Sequence, residues 1–74
     1  MPKLPTLSGI KVVKVLTRSG FSIDQQIRSH IILRHEGSPV RTVSVPKHKE
    51  LKTGTLKGII KQSGLTVEEF VELL

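Results

Sequence analysis

Apolar and polar positions divide the chain into a helical segment, three extended segments and two further helical ones. Between Ser8 and Gly20, Ile10, Val12, Val13, Val15 and Leu16 spread over a broad arc of a helix that turns about 100° per residue. Lys11, Lys14 and Arg18 fall into one narrow basic stripe. Ser8 is an N-cap residue type and Ser19-Gly20 a stop, which predicts a helix over residues 9–18. From Phe21 to Arg28 the period shortens to two, with Phe21, Ile23 and Ile27 in one phase and Ser22, Asp24 and Gln26 in the other. This predicts a half-buried strand whose alternation is broken at Gln25.

A second strand is predicted from His30 to about His35, turning through Glu36-Gly37-Ser38-Pro39 into a third from Val40 to Val45. Val43 and Val45 alternate there with Thr42 and Ser44, and Pro46 ends the strand because it has no N–H to give a neighbour. The run Ile31-Ile32-Leu33 leaves open which face of the second strand is core. After the basic loop Lys47 to Lys52, Thr53 can cap a helix whose Leu56, Ile59 and Ile60 oppose Lys57 and Lys61, with Gly64 as its stop. Thr66 and Glu69 have capping-box spacing and start a last short helix, with Val67, Phe70, Val71 and Leu74 expected inward. The expected architecture is α+β: a three-stranded antiparallel meander packed on helices along one side, with the other sheet face open.

Size makes this one domain, 1–74, with the proline-bearing residues 1–6 expected as a mobile arm. There is no cysteine, so neither a disulfide nor a cysteine-containing zinc site can staple the fold. No apolar run approaches the roughly 20 residues of a membrane span, and no apolar signal core follows the first lysine, so a soluble, cytoplasmic protein is expected.

Charge changes the picture more. Twelve Lys and Arg face six Asp and Glu, and three of those acids lie in residues 67–74; residues 1–66 therefore carry twelve positive charges against three negative, a net +9. Such an excess suits a polyanion, most simply nucleic acid, although a basic surface also serves solubility.

Without a metal, RNA can be cut by a general base that removes the ribose 2′-hydroxyl proton while cations stabilise the charge developing at phosphorus. Histidine suits that role, its unperturbed pKa lying at about 6.5. Of His30, His35 and His48, His30 begins the central strand beside Arg28 and Arg34; the alternative is a strand histidine that only packs or solvates. Lys47, Lys49 and Lys52, followed by amide donors at a helix start, form a candidate phosphate cradle or, alternatively, a solvated loop. Walker spacing, a nucleophile elbow and paired carboxylates are missing, and no two histidines have helical ligand spacing. With only Phe21 and Phe70 as aromatics, both better used in a core, RNA contact is expected through the backbone.

Several short motifs, in order over nearly the whole chain, together resemble the HicA (YcfA-like) toxin family. They are Leu7-Ser8-Gly9, Gly20-Phe21, Arg28-Ser29-His30, Val43-Ser44-Val45-Pro46 with His48, Glu50-Leu51-Lys52 with Gly54-Thr55-Leu56, Gly64-Leu65, and Glu68-Glu69-Phe70. The resemblance implies a double-stranded-RNA-binding-domain-like fold, α-β-β-β-α, here with a short C-terminal helix. It also implies a metal-independent mRNA interferase with no cofactor, held in check by a HicB-type antitoxin. The family's catalytic histidine, in its Gly-Ser-His motif, carries over to His30. Arg28, Ser29, Arg34, Lys47, His48 and Lys52 are the RNA-binding candidates. Arg28 stands where the family has glycine: it either disturbs a special φ or close approach, or adds a phosphate contact. Ile31 stands where some members have a second histidine.

Overall fold

A computed structural model describes residues 4–74. Six elements follow in the order α1 (Gly9–Arg18), β1 (Ser22–Ile27), β2 (His30–His35), β3 (Arg41–Pro46), α2 (Thr53–Ser63) and α3 (Val67–Glu72). The three strands form one antiparallel sheet in the order β1-β2-β3. This is the α+β, double-stranded-RNA-binding-domain-like arrangement expected.

Each boundary has a local cause. Ser8 caps α1 by accepting from the Lys11 amide, and Thr66 and Glu69 close a full capping box on α3. Gly64 ends α2 at φ 82°, in the left-handed region that glycine enters without steric penalty. Thr53, expected to cap α2, is instead its first residue; Lys52 holds the cap position and makes no side-chain capping bond. An ammonium can only donate, so it cannot satisfy the amides of the first turn.

The helices cover one sheet face. Val12, Val15 and Leu16 of α1, Leu33 of β2, Val43 and Val45 of β3, Leu56 and Ile60 of α2, and Phe70 of α3 are buried together. Register decides what the sequence left open: Ile31 pairs with Val45 and Leu33 with Val43, so these four face the helices, while His30, Ile32 and Arg34 share the uncovered face with Thr42 and Ser44.

Further local expectations are corrected. β1 is not half-buried: it is an edge strand, exposed along its whole length. Its register slips between Ile23 and Gln25, leaving Asp24 as the extra residue, so Ile23 pairs with Leu33 on the helix side while Ile27 pairs with His30 on the open one. One inserted residue reverses every later side chain. On α1, Ile10 lies outside the buried arc, and on α3 it is Leu73 that packs against the core while Leu74 is exposed. Val40 precedes β3 and is exposed, so that strand runs one residue later than expected. Of the expected arm, residues 1–3 lie outside the described residues, and Leu4 packs against the core.

Candidate functional site

The β1–β2 connection is a two-residue hairpin loop, Arg28-Ser29, between the paired residues Ile27 and His30. Arg28 has φ 52°, and no other non-glycine among the described residues has positive φ. A positive φ at the first loop position favours glycine there because a Cβ crowds the backbone. This accounts physically for the glycine that the resemblance places at this position: it serves the turn, and Arg28 makes the same turn under strain.

The turn delivers His30 to the open face. Its side chain is exposed, with Ile27 directly across on β1 and Pro46 directly across on β3. Ser29 Oγ lies 3.4 Å from His30 Nδ1, a long contact, and Nε2 has no hydrogen-bond partner among the described residues.

Three backbone hydrogen bonds attach the loop after β3 to this corner. The Lys47 amide donates to Ser29 O at 2.7 Å, the Gly9 amide to His48 O at 2.9 Å and the Leu51 amide to Leu7 O at 2.8 Å. The Leu7-Ser8-Gly9 motif is therefore a seat for the loop. At Gly9 any Cβ would collide with the Pro46 carbonyl oxygen, so helix and strand end can approach this closely only through glycine.

The predicted site residues divide accordingly. Arg28, Ser29, His30 and Lys47 meet at one corner, and the His48 backbone is fixed beside them. Lys52 stands at the start of α2 with no tie to His30; there it leaves the first-turn amides of α2 free to meet an anion. Arg34 shares the open face but lies four residues along β2, about 13 Å away at strand rise. Its Nε is engaged by Glu36 Oε1 at 2.6 Å, so much of its charge is already answered. Sequence reasoning missed Ile27 as a neighbour of His30, although a two-residue loop at Arg28-Ser29 requires that pairing.

An exposed imidazole on a bare sheet face, flanked by two cations and an apolar residue, can take a proton from a bound polyanion. No curated protein matched the chain. A family model described as HicA toxin of bacterial toxin-antitoxin matches residues 9–65, from the glycine seated on β3 to the Gly64-Leu65 end of α2. With that match over most of its length and the architecture described, the chain belongs to the HicA toxin family of bacterial toxin–antitoxin systems.

Proposed function

We propose that the chain is a metal-independent endoribonuclease that cleaves mRNA, with His30 as general base. The observation that carries this reading is the placement of His30: exposed, on the uncovered sheet face, at a turn that also bears Arg28, Ser29 and Lys47. His30 takes the ribose 2′-hydroxyl proton, the freed oxygen attacks the adjacent phosphorus, and the bond to the 5′-oxygen breaks. That oxygen leaves protonated by water, giving a 2′,3′-cyclic phosphate and a 5′-hydroxyl end. Arg28 and Lys47 balance the charge that develops on the phosphoryl oxygens, while Lys52 and the α2 amides hold a phosphate farther along. Arg34 and His48 are peripheral contacts in this reading.

A HicB-type antitoxin inhibits by covering the same face, where exposed Ile27 gives it an apolar anchor beside the histidine. Acting on mRNA, the toxin works in the cytoplasm.

The test uses purified wild type and His30→Ala with single-stranded RNA in EDTA, alongside expression of both in cells. His30→Ala is expected to cleave about 10² to 10⁴-fold more slowly with an unchanged melting temperature, and to abolish growth arrest. Equal cleavage by the variant refutes the assignment. Binding without new fragments by wild type would make the chain a non-catalytic RNA-binding module instead.

A further inference from the structure

The far end of the sheet from His30 holds a second constellation that the nuclease reading does not use. A cavity of about 200 Å³ opens between the end of α1, the β2–β3 loop and the end of α2, with Phe21 and Leu65 as apolar lining and His35 and Arg41 as polar lining. Ligand pockets for drug-sized molecules run to about 300 Å³ and more, so this one takes a single small group.

Glycines make room for both polar side chains. A Cβ on Gly20 would lie 2.9 Å from His35 Nε2, and one on Gly37 would lie 3.1 Å from Nδ1, so the imidazole is held between two bare backbones. Phe21 meets the same ring at 5.2 Å between centroids and 58° between planes. On the other side the Arg41 guanidinium lies against Gly64, where a Cβ would come within 2.6 Å of Cζ. Gly20-Phe21 and Gly64-Leu65 thus frame this cavity, in addition to ending their helices.

Neither polar group is answered internally. His35 and Arg41 are direct partners across β2 and β3 and make no side-chain hydrogen bond among the described residues. The neighbouring acid, Glu36, is committed to Arg34. The Gly37 and Ser38 amides of the cavity's loop also have no partner among the described residues. A fork of guanidinium donors, an imidazole and two spare amides around a one-group cavity match an oxyanion.

We propose that this cavity is a phosphate-binding subsite, with Arg41 as its principal ligand and His35 beside it. Its source is either a phosphate group of RNA or free phosphate; strand rise puts His35 about 17 Å from His30, so an RNA held here would be anchored well away from the cut.

The test is amide and arginine side-chain NMR on the full chain carrying His30→Ala. Intact RNA in this variant makes the outcome independent of whether the chain is a nuclease. Inorganic phosphate is titrated in one arm, and in the other a short oligoribonucleotide with a 5′-phosphate or a 5′-hydroxyl. Saturable shifts centred on Gly37, Ser38 and Arg41 Nε–H are expected, weakened at least tenfold by Arg41→Gln and less by Arg41→Lys, which keeps the charge without the fork. Tighter binding of the 5′-phosphorylated oligomer than of free phosphate identifies an RNA end; equal binding identifies the free ion. Shifts that never saturate, that centre on Lys47–Lys52 or that persist in both Arg41 variants overturn the subsite.

Discussion

Replacing Arg28 by glycine should make this protein more stable, which is unusual for a substitution that removes a large side chain. At φ 52° a residue with a Cβ costs about 1–2 kcal/mol relative to glycine, which enters that region freely. Against this, glycine loses more backbone freedom on folding, a penalty of about 0.5–1 kcal/mol. Arg28 makes no hydrogen bond or ion pair among the described residues, so no contact is lost with it. The mid-values of the two terms leave a net gain of about 0.75 kcal/mol, which for a domain this size raises the melting temperature by about 3–6 °C. Arg28→Ala removes the same charge but keeps the Cβ, so comparing the two variants isolates the turn from the electrostatics. The assay is thermal unfolding by circular dichroism at fixed salt. Arg28→Gly melting at or below Arg28→Ala would show that the left-handed turn is unstrained and that the glycine of the resemblance has another purpose.

Other outcomes follow from the same geometry. Gly9→Ala should destabilise by about 3 kcal/mol, at the top of the range for overpacking, because the atom it meets is a strand carbonyl that cannot step aside; chemical denaturation measures this. Thr66→Ala should lose about 1 kcal/mol by opening the capping box of α3, read as a lower denaturation midpoint at constant slope. Lys47→Gln should weaken RNA binding and lower the dependence of log K on log salt by about one, whereas Arg34→Gln should change both much less, its charge being held by Glu36.

The order of elements was readable because each has a local signal: the cap at Ser8, the proline at the end of β3, the glycine at 64 and the Thr66–Glu69 box all act within a few residues. What escaped was set by tertiary position. The slip at Asp24 leaves no mark in a segment already irregular at Gln25, yet it decides that Ile27 lies beside His30. The exposure of β1 throughout depends on how far the helices reach across the sheet, since β3 is an edge strand too and is buried at Val43 and Val45. At the site, His30 and its neighbours Arg28 and Ser29 were visible in one short stretch, but which face they occupy depends on the pairing of Ile31 with Val45, fourteen residues away in the chain. Lys47 was singled out for its charge; its bond to Ser29 joins residues eighteen apart and has no local signature.

The loop after β3 is fastened to the rest of the molecule by main-chain hydrogen bonds at Lys47, His48 and Leu51 and by one side chain, Leu51, buried in the core. At 47 and 48 those bonds do not depend on which side chain is carried, beyond excluding proline as a donor at 47, whereas position 51 must stay apolar. Mutation could therefore rewrite the charges along this rim, and with them the proposed contacts to RNA or antitoxin, while the platform beneath keeps its shape. Divergent specificity would then be reachable by single steps, none of which has to pass through an unfolded toxin.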